Sequence, residues 1–400
     1  MIAHGGIGPQ AGPVPRPRRR TPPLTAGDGR WRLRHGPAAA QDTTIADVPI
    51  PRSAMPASRR RLLQLSAATA GLLTAGTGTG QAAAGVLRPR RLRPGDTLGL
   101  VSPANATFER EPLKIAIESL QALGFQVKPG EFVAARRGPF AGTDAQRAAD
   151  INAMFADDAV AGILAMTGGS GCNRIVDRLD YELIRARPKF FGGFSDLTSL
   201  VNAIQRRTGL VTFHSPVAAS GWNEFSVQSF RAVAMNAEAA VLRNPAPAAG
   251  DDLVPREDRI STLRPGRAQG PLIGGNLTVL ASLAGTPYFP DCRGAILFLE
   301  DVNEYIYRID RCLSTLRLTG TLGQVAGVVL GHFTNCTPGE GYGSLTLDEV
   351  FDDYLLPLGV PVFRGAAIGH IRRKLTVPVG APAEMDADTG TIRLLQAAVV

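Results

Sequence analysis

From residue 91 onward the apolar positions alternate between short continuous runs and helical stripes. Residues 97–102 (TLGLVS) have the character of a buried strand. Leu113, Ile115, Ile117, Leu120 and Leu123 predict a helix after it, and residues 125–128 a second strand. Thr143 opens the next helix, with Gln146 three places on as a capping box and Ile151, Met154 and Phe155 as its buried side. The strand AGILAM (161–166), the glycine loop TGGSGCNR (167–174) and a further helix follow. Phe190, Phe191 and Phe194 then mark a strand, Leu197, Leu200, Val201 and Ile204 one face of a helix, and LVTFHSPV (210–217) another strand. Such regular succession predicts an α/β domain over 91–240, its parallel sheet covered on both faces. Residues 241–270, rich in Ala, Pro, Arg, Asp and Gly, break the rhythm and read as a linker. Beyond them GAILFLE (294–300), VAGVVLGHF (325–333) and VPVFRGAAIGH (360–370), with a helix over 307–320, predict a second, smaller α/β domain over 271–400.

Charge is concentrated at one end. The chain has 43 Lys and Arg against 35 Asp and Glu, but eleven arginines and only three aspartates fall within residues 1–84. The rest carries 32 residues of each sign, so it is formally neutral and shows no basic, aromatic-interleaved patch of the kind nucleic-acid binders use. Residues 1–54 have no hydrophobic period and read as disordered, with Met55 as an alternative start of translation. Over 55–84, Ser58-Arg59-Arg60 precedes a mildly apolar run from Leu62 to Ala75, and Ala82-Ala83-Ala84 offers small residues for cleavage. This pattern is read as a twin-arginine export signal, too short in its apolar run to span a membrane. A periplasmic or extracellular protein is therefore expected. Cys172, Cys292, Cys312 and Cys336 lack metal-ligand spacing, so no metal is expected, and whether any pair forms a disulfide stays open.

Three residues stand where hydroxyl-based nucleophilic chemistry could be assembled. In FFGGFSDLTSL (190–200), Ser195 occupies a strand-to-helix corner with glycines behind it. Such a corner exposes a hydroxyl beside the free N–H groups of a helix start, although a serine there also serves as an ordinary N-cap. Glu300 ends the run GAILFLE and His370 ends VFRGAAIGH. A hydroxyl, an imidazole to take its proton and a carboxylate to orient the imidazole are what acyl transfer needs. The order Ser, acid, His matches that of α/β-hydrolases, but Leu197 stands where the second glycine of their elbow belongs. The glycine loop 167–174 lacks the signature of a phosphate cradle and can instead offer backbone N–H groups to an oxyanion beside the amide of Asp196.

Seven ordered blocks carry a family resemblance: RLRPGDTLGLVSPA, GGSGCNRIVDRLDYELI, KFFGGFSDLTSL, FHSPV, LIGGNLTVLASLAGTPY, LFLEDVNEYIYRIDRCLSTL and GHIRRKLTVPVGAPAEMD. Over roughly residues 91–396 the chain resembles the LD-carboxypeptidases, the muramoyl-tetrapeptide carboxypeptidases and their microcin-cleaving relatives. The resemblance implies an N-terminal flavodoxin-like domain, a C-terminal β-rich domain, an active site in the cleft between them, and a homodimer. It implies Ser195 as nucleophile, Glu300 as relay acid with Glu304 as the fallback, and His370 as base. The oxyanion donors it implies are the amides of Asp196 and Gly169, with Gly168, Ser170, Arg174, Asn276 and Glu304 as substrate-binding residues.

Where that family commonly has Arg-Gly-Gly-Tyr-Gly, this chain has Thr167-Gly168-Gly169-Ser170-Gly171, which bears on recognition more than on chemistry. The activity implied is cofactor-free hydrolysis of an L,D-amide, releasing D-alanine from a peptidoglycan tetrapeptide. The alternatives are an amidase of the same family acting on a peptide-nucleotide or other acyl amide, and an exported binding protein without turnover.

Overall fold

The computed structural model describes residues 86–246, 253–254, 257–340 and 343–400. The segments read as disordered (1–54) and as an export signal (55–84) lie outside the described residues. The first half contains β1 (Thr97–Val101), β2 (Gln126–Pro129), β3 (Val160–Ala165), β4 (Phe190–Gly193) and β5 (Thr212–His214). After these come β6 (Val241–Leu242), β7 (Ser261–Arg264), β8 (Arg267–Asn276), β9 (Ile296–Val302), β10 (Gly327–Thr334) and β11 (Val362–Arg364). The chain closes with β12 (Val377–Val379), β13 (Pro382–Asp386) and β14 (Thr391–Leu394).

The first sheet has the order β12-β5-β4-β3-β1-β2. Strands β1 to β5 pair in parallel in the flavodoxin-like order 2-1-3-4-5, which gathers the loops after β1, β3 and β4 on one rim. Phe190, Phe191 and Phe213 are fully buried in its core, with Phe190 stacked on Phe213 at 4.4 Å between centroids. β12 returns late in the chain to add an antiparallel edge, Val377 opposite His214. The second sheet has eight strands in the order β6-β14-β13-β8-β9-β10-β11-β7, and β8 to β11 are parallel. Fully buried Leu297, Phe298 and Leu299 on β9 and Val328 to Leu330 on β10 form its centre.

Segment 241–270 differs from the linker its composition suggested. It holds β6 and β7, the two edges of the second sheet, and the start of β8. Edge strands expose half their backbone and favour polar residues, so their composition resembles that of a loop. The first helix, Arg110–Ala122, also differs in detail: Ala116 and Leu120 are buried, whereas Ile115 is 52% exposed. Residues 115 and 117 are only two apart, and a helix cannot face both inward.

The helix Asp144–Ala156 begins with the complete capping box, Thr143 accepting from the Gln146 amide and the Gln146 side chain from the Thr143 amide. Thr143→Ala should therefore cost about 1 kcal/mol in stability, read as a lower urea midpoint at constant slope. No helix among the described residues is long and apolar enough to cross a membrane.

Candidate active site

β4 ends at Gly193, Phe194 continues extended, and the backbone turns at Ser195 with φ of +66°. A non-glycine residue in the left-handed region is uncommon and stores strain that recurs at functional corners. A 3₁₀ turn, Ser195–Leu197, then runs into the helix Thr198–Thr208. Ser195 does not serve as the N-cap allowed for in the sequence: among the described residues no side chain caps the turn or the helix that follows. The Asp196 carboxylate instead accepts the Cys172 amide at 2.7 Å, tying the elbow to the glycine loop. Burial pushes the Asp196 carboxyl up, and the Cys172 amide works against that shift. The Ser195 hydroxyl is therefore free for another partner.

That partner is His370. Its Nε2 lies 2.9 Å from Ser195 Oγ, and its Nδ1 lies 2.8 Å from Glu300 Oε2. An ionised carboxylate only accepts, so Nδ1–H donates to Glu300 and Nε2 is left to accept the Ser195 hydroxyl proton. Glu300 sits on β9 beside Asn276 of β8 and is fully buried. Burial raises its pKa, and the neighbouring imidazole opposes the rise. Its Oε1 is buried with no hydrogen-bond partner among the described residues.

His370 does not end a strand as the apolar run suggested. β11 stops at Arg364, and Gly365 (φ +89°) turns the chain into a loop held against β10 by the His332 amide donating to the Ile368 carbonyl. Next to the histidine, Gly369 is required sterically, because a Cβ there would lie 2.8 Å from Glu300 Oε2.

The glycine loop lies directly on the nucleophile. A Cβ on Gly168 would come within 2.8 Å of Ser195 Cβ, and Gly169 packs on the Asn105 side chain. Asn105 Oδ1 accepts the Ser170 amide at 3.0 Å, leaving the Ser170 side chain exposed. Arg147, fully buried, donates to the carbonyls of Pro103 and Gly171 and to Asp144, and so ties the loops after β1 and β3 together. Arg174 donates twice to Asp144, at 3.0 and 2.8 Å, and holds that carboxyl down at about 2.

The remaining expected binders are likewise engaged within the protein. Asn276, 4% exposed, caps the helix Leu277–Ser282 and donates to Asp301 at 2.9 Å. Its amide donates to Thr198 Oγ1, locking the elbow helix to the end of β8. Glu304 accepts from Arg308 at 3.2 Å, while Glu300 is the acid bonded to His370. The structure thus brings together Ser195, Glu300, His370, Gly168 and Asp196, and it turns Arg174 and Glu304 toward partners of their own.

His214 and Lys374 were not singled out in the sequence. His214, 2% exposed, has both ring nitrogens without partners among the described residues and packs between Phe194 and Phe298. Burial first, then the charges of His370 and Lys374, lower its pKa to about 3. The folded state thus refuses a proton that the unfolded chain accepts near pH 6.5, so stability is present above pH 6.5 and lost as pH falls toward 3. At pH 5 the loss should be about 2 kcal/mol. His214→Phe should make the decline in urea-unfolding stability between pH 7 and 5 shallower by that amount.

Residues 98–215 match the model of the LD-carboxypeptidase N-terminal domain, and residues 269–385 that of the C-terminal domain. The chain belongs to the LD-carboxypeptidase family. It is 38% identical over 299 residues to a probable murein peptide carboxypeptidase of Bacillus subtilis, covering 75% of this chain and 91% of the relative. It is 32% identical over 296 residues to the murein tetrapeptide carboxypeptidase of Pseudomonas aeruginosa, covering 73% and 93%. A solved structure of the microcin C7 self-immunity protein MccF, also known from Escherichia coli, in complex with glutamyl sulfamoyl guanosine superposes with a TM-score of 0.70. That match is 26% identical and covers 78% of this chain and 100% of the other. Family membership makes this LD-carboxypeptidase homologue a hydrolase of the carboxypeptidase type, with the two-domain α/β fold of its structural neighbours.

Proposed function

We propose that this family member is a serine carboxypeptidase that hydrolyses the L,D-amide of peptidoglycan tetrapeptides and releases the terminal D-alanine. The observation that carries the reading is the hydrogen-bonded line from Ser195 through His370 to Glu300, at 2.9 and 2.8 Å. Ser195 Oγ attacks the scissile carbonyl carbon as His370 Nε2 takes its proton. The carbonyl π electrons move onto oxygen, and the backbone amides of Asp196 and Gly169 are the donors proposed to stabilise it. Glu300 holds the imidazolium, which returns its proton to the departing D-alanine nitrogen as the C–N bond breaks. Water, deprotonated by His370, then attacks the acyl ester, and Ser195 leaves with the proton. No step calls on a metal or organic cofactor.

A second reading, cleavage of a peptide-nucleotide amide, is favoured by the likeness to MccF bound to glutamyl sulfamoyl guanosine. Turnover of a purified tetrapeptide measured beside glutamyl sulfamoyl guanosine separates the two. The first reading expects D-alanine release with the higher kcat/KM, and a higher kcat/KM on the nucleotide conjugate overturns it. An exported location and a homodimer remain part of the proposal. Size-exclusion chromatography with light scattering, together with fractionation of the native host, tests both.

A further inference from the structure

Lys374 is a cation near this site that has no partner of its own among the described residues. The residue is only 9% exposed, and its ammonium makes no hydrogen bond or ion pair among the described residues. Nζ stands 3.9 Å over the centroid of the Phe194 ring, and that ring packs 4.8 Å from the ring of His370. Its backbone is fixed by the Lys374 amide donating to Ser226 Oγ, just before β12. Other cations around the site are spoken for: Arg147 and Arg174 by Asp144, Arg308 by Glu304, and Arg373 by Asp258 and Glu257. Arg372 is exposed and faces a separate cavity with Glu224 and Asn223. Burial lowers the Lys374 pKa to about 8, with the Glu300 charge opposing the shift, so the ammonium persists at neutral pH despite its desolvation.

An ammonium on a largely buried side chain, with no partner among the described residues, is costly unless an anion arrives to meet it. The ammonium and the His370 imidazole thus pack on the same Phe194 ring, and His370 is the group that must protonate the leaving amino acid. We infer that Lys374 binds the terminal carboxylate of the leaving amino acid and so makes the enzyme a carboxypeptidase rather than an endopeptidase. The inference rests on the peptidase reading above.

Charge balance gives it a kinetic signature. With Lys374 uncompensated, a second positive charge on His370 is opposed; with a carboxylate bound, Lys374 is neutralised and the imidazolium forms beside Glu300 alone. Loss of the substrate carboxylate should therefore lower kcat as well as raise KM.

The test compares a tetrapeptide ending in D-alanine with the same peptide ending in D-alaninamide, using the parent, Lys374→Met and Lys374→Arg, with each variant's Tm measured. The parent should prefer the acid. In Lys374→Met, kcat/KM on the acid should fall roughly tenfold to a hundredfold, the worth of one charge-assisted hydrogen bond. Its kcat on the amide should equal or exceed the parent's, and Lys374→Arg should keep much of the preference. An unchanged acid preference in Lys374→Met overturns the assignment of Lys374. A parent that cuts acid and amide equally also overturns it, with no variant needed. If the parent cuts neither peptide, the peptidase reading fails and this inference falls with it.

Discussion

Ser195→Ala should abolish turnover while leaving the fold in place, with kcat lowered by about 10⁶-fold, as when a nucleophile that works with a base and an acid is removed. Among the described residues the hydroxyl's one hydrogen-bond partner is His370 Nε2, so its loss removes no bond that holds β4 to its neighbours. The left-handed backbone at this position is as accessible to alanine as to serine, and Tm should move little. Burst kinetics on an activated ester of the acyl segment give the readout: the parent should show a burst equal to its active-site concentration, and the variant none.

Glu300→Gln should separate activity from stability in opposite directions. An amide in place of the carboxylate can no longer stabilise the imidazolium or enforce the tautomer, and kcat should fall by about 10⁴-fold. Stability should hold or rise. The folded-state pKa of Glu300 is raised by burial, so its favourable contribution belongs to the protonated form and is lost as pH climbs through that pKa. At neutral pH the charge is therefore a burden that glutamine lacks, and the Tm of Glu300→Gln should be no lower than the parent's. A merely structural glutamate would lose Tm and activity together.

Much of this arrangement was legible from local pattern. The elbow could be read because two glycines, an apolar strand and a helical stripe converge on Ser195, and each of those signals acts over a few residues. Glu300 was legible as an acid closing an apolar run, although β9 continues past it to Val302, and the capping box at Thr143 formed as its spacing implies. What was not legible depends on long-range packing. The loop bearing His370 resembles a strand because Ala366, Ala367 and Ile368 are apolar, and they are apolar because the loop itself is buried. Segment 241–270 reads as a connector because edge strands need few apolar residues. Arg147 sits on a charged-looking helix turn, yet its guanidinium is enclosed by carbonyls from two loops far apart in the chain. His214 is covered by β12, a strand more than 160 residues later in the chain, which pairs with β5 and sets Val377 opposite it.

The most direct measurement is mass spectrometry of purified muropeptides after incubation with the parent protein and with Ser195→Ala. Tetrapeptide should become tripeptide plus free D-alanine in the first incubation and remain whole in the second. A tetrapeptide left intact by the parent, or shortened equally well by Ser195→Ala, would contradict it.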